Sequence, residues 1–136
     1  MKILTYRMSS KRVARLRELC GRILPELTVV PVDAKEENTP LGLLSGDASP
    51  LELAKGSSDL LASRSLPEMD EEMLVFAGLS DRDLDLLLKE MRASGLVVEL
   101  KAVETETNCL WSGKMLEHAL REERESFRNR RAPKNG

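Results

Sequence analysis

The chain has 136 residues, of which 41% are hydrophobic and 32% are charged, a composition typical of one globular domain. Its net charge of −2 gives no general attraction to nucleic acid or membranes, and an aromatic content of 3% leaves too few rings for a base-stacking platform. One histidine argues against a zinc site, and we expect no cofactor. Without a secretory leader or a membrane-length apolar run, we expect a cytoplasmic protein with reduced cysteines.

The first part of the chain predicts a strand, a helix and a second strand. Residues 2–8 are apolar on both alternating sides, which is typical of a strand covered on both faces. Ser9 can cap the helix that follows, and Pro25 ends it. Residues 27–32 predict the second strand, and Pro31 places it at a sheet edge because proline cannot donate to a ladder.

Loops follow this unit. A polar loop leads into a short apolar turn at residues 41–44. Residues 45–72 are rich in Ser, Gly, Pro and Asp, which predicts a surface connection with one weak helix at residues 51–61.

The second half repeats this order with clearer signals. Residues 73–79 are almost wholly apolar and predict another strand covered on both faces. Ser80 can cap the next helix, and Gly95 can end it in the left-handed conformation. Residues 96–103 predict a fourth strand, whose mixed polarity is typical of a sheet edge.

A final helix and a tail complete the chain. Residues 112–128 carry an apolar stripe with helical spacing, and residues 129–136 form a basic tail that we expect to fray. We therefore predict a single domain over residues 1–128. It is built from two similar halves, 2–44 and 73–115, joined by the surface connection.

The two halves match in pattern rather than in identity. Residues 3–6 align with residues 73–76, and after one extra residue at Gly78 the match continues with the spacing between Ser9 and Ser80. Such a repeat predicts an internal duplication that forms one pseudo-symmetric domain.

Two architectures place the first and third strands at the centre of a sheet and the others at its edges. One is a doubly wound parallel α/β sheet of order 2-1-3-4 with helices on both faces. The other is a ferredoxin-like α+β sandwich of order 4-1-3-2. We predict the first, because the central strands are apolar on both faces and a helix follows each second strand.

Residues 104–111 are the most unusual stretch, with two carboxylates, two hydroxyls, an amide, a thiol and the single tryptophan. One hypothesis is that Thr107 and Asn108 hydrogen-bond a ligand beside the ring of Trp111. The alternative is that Asn108 or Ser112 caps the last helix while Trp111 fills the core beneath it. The sequence leaves both open.

The other motifs do not predict catalysis. Residues 112–114 end like a phosphate-binding loop, but no glycine stands five residues before Gly113 and no hydroxyl follows Lys114. Cys109 lacks a base, because His118 lies about 9 Å further along the predicted helix. We therefore do not expect an enzyme.

Several segments together form a recognisable set: Met73 to Leu79, Leu84 to Gly95, Leu100 to Thr105, Asn108 followed by Trp111, and Asn38 to Gly46 near the front. They resemble an uncharacterised bacterial family of small proteins that carry a domain of unknown function. The resemblance spans most of the chain outside residues 47–70. It implies no activity, cofactor or substrate for any residue.

The resemblance directs attention to the loops after the second and fourth strands, which a parallel sheet would bring to one rim. The candidate ligand-binding residues are Asn38, Thr39, Pro40, Gly42, Ser80, Thr107, Asn108 and Trp111. We expect a non-catalytic cytoplasmic interaction or regulatory module that acts through a protein partner or self-association. The alternative is a domain that binds a small anionic ligand at these loops, near the starts of helices.

Overall fold

The computed structural model describes residues 1–47 and 65–131. In chain order the elements are strand β1 (Lys2–Tyr6), helix α1 (Ser10–Ile23), strand β2 (Thr28–Val32), a 3₁₀ turn (Ala34–Glu36), helix α2 (Leu41–Ser45), strand β3 (Met73–Ala77), helix α3 (Asp81–Ala93), strand β4 (Leu100–Val103), a second 3₁₀ turn (Asn108–Leu110) and helix α4 (Gly113–Arg131). The predicted helix at residues 51–61 lies outside the described residues. Helix α4 extends into the predicted tail.

The sheet has the predicted order β2-β1-β3-β4, with β1 and β3 at its centre. Its strand directions differ from the prediction: β1 pairs in parallel with β2, and β3 with β4, but β1 and β3 are antiparallel. The all-parallel arrangement was therefore wrong, and the ferredoxin-like order is not observed either. Apolar residues on both faces indicate a central strand, but they carry no information about its direction.

Helices cover both faces of the sheet, as predicted. Helices α1 and α3 pack on one face, whose core includes Ile3, Leu16, Leu74 and Leu87. Helices α2 and α4 pack on the other, whose core includes Leu4, Tyr6, Leu41, Met73 and Leu116. We call these the α1/α3 face and the α2/α4 face. The predicted fourth strand is shorter than expected, since residues 96–99 are irregular.

The alignment of the two halves needs one correction. Ile3 contributes to the α1/α3 face whereas Met73 contributes to the α2/α4 face, so aligning residues 3–6 with residues 73–76 places equivalent side chains on opposite faces. Pairing Leu4 with Val75, which are opposite each other in the ladder, removes this conflict.

With this correction the first strands and helices of the two halves are 71 positions apart, as are the caps Ser9 and Ser80. The second strands of the two halves begin 72 positions apart, as do the helices α2 and α4, and Pro40 and Ser112 have the same separation. The two halves thus share their order of elements. Duplication itself stays a prediction.

The local signals for the first helix of each half are also shared. Ser9 Oγ accepts a hydrogen bond from Arg12 N–H at 3.3 Å, and Ser80 Oγ accepts one from Asp83 N–H at 3.1 Å. A residue with positive φ follows each central strand, Arg7 at 55° and Gly78 at 76°. Each half therefore turns from strand to helix in the same way.

The basic residues of α1 are used largely within the fold. Arg12 forms an ion pair with Glu72 at 2.8 Å and also donates to the carbonyl of Val97, while Arg15 donates to the carbonyl of Ser94. These contacts join the first half to the second and satisfy charges on α1. None of the helices described is long and apolar enough to cross a lipid bilayer.

Candidate functional site

The two loops predicted to form a ligand site meet on the α2/α4 face. Leu41 N–H donates to the carbonyl of Trp111 at 2.8 Å, and Pro40 forms an isolated antiparallel bridge with Ser112. Helix α2, which contains Gly42, also contacts the second 3₁₀ turn. The predicted residues of both loops therefore come together at a backbone junction, although β2 and β4 run in opposite directions.

Ser80 lies apart from this junction. Because β1 and β3 are antiparallel, the helix starting after Ser9 and the helix starting after Ser80 begin at opposite ends of the sheet. Each serine hydroxyl is already occupied as the cap of its own helix. The helix starts do not converge on one rim, which removes the geometry expected for a shared anion site.

The polar groups of the second loop are used inside the loop. Asn108 Oδ1 accepts from Thr105 N–H at 2.7 Å, and its amide nitrogen donates to the carbonyl of Val103 at 3.0 Å. Ser112 Oγ accepts from Met115 N–H at 3.2 Å and so caps α4. These contacts match the capping alternative, with Asn108 shaping the turn and Ser112 capping the helix.

The remaining predicted side chains are more exposed. Trp111 packs against the α2/α4 core but is only partly buried, so it covers the core edge rather than filling its centre. Thr107 and Asn38 are exposed, and Thr39 is half-buried.

The start of α4 packs tightly against a tyrosine that sequence reasoning did not single out. A Cβ atom at Gly113 would lie 2.2 Å from Cε1 of Tyr6, so the glycine allows the ring and the helix to approach. The Tyr6 hydroxyl is fully buried and has no hydrogen-bond partner among the described residues. Burial, reinforced by nearby Glu37, raises the pKa of this hydroxyl well above its usual range.

An ion pair between an exposed arginine and a buried carboxylate fixes the loop after β2. Glu37 is 3% exposed and accepts two hydrogen bonds from Arg7, at 2.6 and 2.9 Å. Its carbonyl also accepts from Lys114 N–H at 3.1 Å. Arg7 is the one non-glycine residue with positive φ in the described part of the chain. The ion pair therefore stabilises a backbone conformation that non-glycine residues rarely adopt.

The carboxyl group of Glu104 has a shifted pKa and lies at the opposite end of the sheet. Ser45 Oγ donates to Glu104 at 2.8 Å, and Lys2 Nζ donates to the carbonyl of Ser45 at 2.6 Å. Burial, followed by a hydrogen bond with Asp47, raises the pKa of the Glu104 carboxyl to about 7.

The titratable groups form no recognisable catalytic set within residues 1–47 and 65–131. No group of three or more His, Cys, Asp or Glu side chains there is placed to hold a metal ion. His118 pairs with Glu122 along α4 at 3.1 Å. Burial raises the pKa of the Cys20 thiol to about 11, which leaves little reactive thiolate.

The most distinctive surface is the outer edge of β4. Glu104 N–H donates to the carbonyl of Phe76 at 2.8 Å. This bond establishes which residues along β4 direct their backbone groups toward β3 and which direct them outward. Ala102 directs its backbone groups toward β3, whereas Lys101 and Val103 direct theirs outward. Asn108 takes the outward carbonyl of Val103. Within the described residues, no hydrogen bond uses the Lys101 N–H and C=O or the Val103 N–H.

A groove lies on each side of this edge. On the α2/α4 side, a groove of about 270 Å³ is lined by Leu100, Leu120 and Phe127. On the α1/α3 side, a smaller one of about 80 Å³ is lined by residues that include Leu88 and Met91. Apolar side chains are exposed around the edge: Val97 (64%), Phe127 (52%) and Val103 (44%).

The β2 edge, by contrast, is partly covered. Thr28 N–H donates to the carbonyl of Met1, so Val29 and Pro31 are the residues with outward backbone groups. Arg17 covers the Val29 carbonyl at 3.4 Å, and Pro31 has no N–H to offer. The two edges of one sheet therefore differ in their capacity to pair.

The sequence patterns located these edges but did not indicate that one is covered and the other is not. Pro31 and the mixed polarity of residues 96–103 correctly indicated edge strands. The outward position of Lys101 could not be derived, because it depends on which residues of β4 bond to β3. The signal that was available is the apolar Leu88 on α3, at the position of Arg17 on α1.

Residues 72–127 match a family model described as a domain of unknown function, DUF3783. The resemblance found in the second half of the sequence is confirmed by this match, which covers β3, α3, β4 and most of α4. No curated protein and no solved structure matches the chain. The matched segment carries the open edge.

Proposed function

We propose that the protein is a non-catalytic interaction module whose docking surface is the outer edge of β4. The observation that carries this proposal concerns the outward backbone groups of Lys101, which have no hydrogen-bond partner among the described residues. They lie between two grooves, each with apolar side chains in its walls. An extended segment added to such an edge gains main-chain hydrogen bonds, and its alternating side chains reach the two grooves in turn. The expected location is the cytoplasm.

The contrast with β2 supports this function. Natural sheets protect exposed edges with proline, charged side chains and covering groups, because a bare edge promotes unwanted pairing. The β2 edge has both Pro31 and Arg17, so this protection is present in the same molecule. The β4 edge carries the charged Lys101 but has no proline, and within the described residues no side chain covers the Lys101 carbonyl. This edge lies in the half matched by the family model, and its uncovered backbone groups favour a use for pairing.

The experiment is a selection from displayed random peptides, screened against the wild-type protein and counter-screened against a variant with a closed edge. That variant is Leu88→Arg/Val103→Pro. It places the residue types of Arg17 and Pro31, which protect the β2 edge, at the equivalent positions beside and on β4. Proline at position 103 removes an outward N–H and no bond to β3. We expect peptides that bind the wild type and lose at least tenfold in affinity for the variant.

Two measurements make the result decisive. Circular dichroism must show that the variant is folded, and the variant Arg17→Leu, altered at the other edge, must bind the selected peptides like the wild type. Amide exchange at Lys101 should slow when a selected peptide is bound. If every selected peptide binds the closed-edge variant equally well, the β4 edge is not the docking surface.

A further inference from the structure

The groove on the α1/α3 side of the open edge, which we call the α1/α3 groove, is positively charged. Among its described lining residues the charged side chains are Arg92 and Lys101, and none is acidic. The Lys101 ammonium donates to the carbonyl of Val98, another lining residue, which holds its charge at the groove and leaves two N–H groups over. Arg92 is exposed, and its guanidinium has no hydrogen bond or ion pair within the described residues.

The corresponding positions of the first half show what is different about Arg92. Helix α1 has Arg17 and Gly21 at the positions where helix α3 has Leu88 and Arg92. Arg17 donates to the outward carbonyl of Val29 and so covers the β2 edge. In the second half the arginine stands one helical turn further along. It lines the groove beside β4 and leaves the strand uncovered, so its charge is available to a partner.

The groove on the α2/α4 side, which we call the α2/α4 groove, has a different character. Leu100, Leu120 and Phe127 form its apolar wall. Its charged side chains are two acids and two bases, and among them Glu99 contacts Arg124 at 2.9 Å. Because charge is balanced there, this groove favours an apolar side chain.

We propose that the partner is an extended peptide segment with the order apolar, acidic, apolar, whose acidic residue lies opposite Lys101. This inference rests on the proposed function, since it specifies the sequence that the same edge binds. Leu100 and Ala102 pack on the α2/α4 core, so the Lys101 side chain lies on the α1/α3 face. Residues opposite each other in a sheet share a face, which brings the carboxylate of the segment to Lys101 and Arg92.

The neighbours of the acidic residue point to the other face of the sheet. In either direction of the added strand, one of these neighbours lies opposite Leu100 and so reaches the α2/α4 groove. The outward backbone groups that remain are the N–H and C=O of Lys101 and the N–H of Val103, because Asn108 occupies the Val103 carbonyl. So few backbone bonds hold only a short segment, and the choice of sequence therefore depends on the two grooves.

The test uses short labelled peptides that differ only in their central residues, Val-Glu-Val, Val-Gln-Val or Val-Lys-Val. We expect the wild-type protein to bind the Val-Glu-Val peptide about tenfold more tightly than the Val-Lys-Val peptide, with Val-Gln-Val between them. Fluorescence anisotropy measures the three affinities. The preference should shrink as added salt screens the charges.

Reversing the charge of the α1/α3 groove is the decisive variant. Arg92→Glu/Lys101→Glu should reverse the order of affinities, so that Val-Lys-Val binds more tightly than Val-Glu-Val. The matched control is Lys11→Glu/Arg82→Glu, which makes the same change in net charge at exposed positions outside the groove and should keep the wild-type order. If circular dichroism shows the reversed variant to be unfolded, Arg92→Gln/Lys101→Gln should abolish the preference instead.

The apolar contact is tested separately with a Thr-Glu-Thr peptide. The wild type should bind it more weakly than Val-Glu-Val, because its side chains gain less from the α2/α4 groove. Phe127→Ala removes part of the apolar wall from an exposed position, and it should bring the two affinities together. A Phe127→Ala variant with the full wild-type difference would overturn the assignment of this groove.

Two further outcomes would overturn the inference: equal binding, or no binding, of the three charge peptides by the wild type, or an acidic preference that Arg92→Glu/Lys101→Glu leaves unchanged. The peptide selection separates this failure from a failure of the proposed function. Selected peptides that bind at β4 with a basic or wholly apolar centre would keep the docking surface and exclude the acidic partner.

Discussion

Val29 and Lys101 occupy corresponding outward positions on the two edge strands, yet the surroundings of the two residues differ. The carbonyl of Val29 is covered by Arg17. The next residue with outward backbone groups, Pro31, has no N–H to donate. The backbone of Lys101 is uncovered within the described residues, and the apolar Leu88 stands where Arg17 stands in the first half. Two halves with the same arrangement of elements thus present different edges, one partly covered and one open.

The difference at the edges contrasts with a close correspondence in the interior. Leu16 and Leu87 are both fully buried at matching positions on α1 and α3, and Cys20 and Met91 follow them by the same spacing. Packing therefore constrains both halves alike, while the surface of each half is shaped separately. The predictions below test where this correspondence holds and where it ends.

The largest effect is expected in the core. Leu16→Ala and Leu87→Ala should each lower the free energy of unfolding by about 2–5 kcal/mol, because each deletion leaves a cavity between a helix and the sheet. Urea unfolding of the two variants measures this directly. If one substitution costs several times more than the other, the two helices do not contribute equally and the correspondence is confined to topology.

The turn after each central strand is where the halves differ next. Arg7→Gly makes the first half resemble the second, which has Gly78, and it relieves the positive φ. We nevertheless expect a loss of about 2 kcal/mol, since the buried carboxylate of Glu37 loses two charged hydrogen bonds. Thermal and urea unfolding provide the measurement.

The double variant Arg7→Gly/Glu37→Gln is the control for this substitution. It removes the buried charge together with its partner, so it should recover part of the lost stability. A single variant more stable than the wild type would mean that backbone strain at Arg7 exceeds the contribution of the ion pair.

The helix caps should behave alike. Ser9→Ala and Ser80→Ala each remove a hydroxyl that accepts from the third residue of its helix. Each should cost about 1 kcal/mol, measured by urea unfolding. Ser9→Asp and Ser80→Asp, which retain a capping oxygen, should restore most of the loss. Unequal losses would indicate that one helix start depends on other contacts.

The smallest effect concerns pH. The pKa of Glu104 is about 7 in the folded protein and near its ordinary value when unfolded, so the unfolded chain releases this proton first as pH rises. Stability from this group should therefore be greatest at acidic pH and fall between about pH 5 and 7. Glu104→Gln should flatten that part of the profile of unfolding free energy against pH.

Asp47→Asn provides a comparison for this profile. It removes the neighbouring carboxyl group, so the fall in stability should move toward lower pH. A wild-type profile identical to that of Glu104→Gln would show that the pKa of Glu104 is not raised in the folded protein.

The sequence allowed the elements and the order of strands to be predicted, for reasons visible in individual residues. Pro31 marked an edge, Ser9 and Ser80 marked helix starts, and Gly95, with φ of 76°, marked a helix end. Strand direction was out of reach, because an apolar strand such as β3 is equally buried in either orientation.

The site was predicted less well. The two loops do meet, but they meet through backbone groups of Leu41 and Trp111, and the amide of Asn108 is used within its own turn. The Arg7–Glu37 pair links residues 30 positions apart. Nothing local in the sequence indicates such a contact, since it depends on how the segment after β2 folds back across the sheet.

Because Tyr6 packs tightly against Gly113, the absorption of its ring reports whether the protein is folded. The chain contains one tyrosine, and the ring is sealed beneath the start of α4 with its hydroxyl removed from solvent. Because burial raises the pKa of that hydroxyl, tyrosinate absorption should emerge at alkaline pH only as the molecule opens. The ultraviolet difference spectrum then measures the fraction of molecules in which Tyr6 is exposed to solvent, without any attached label.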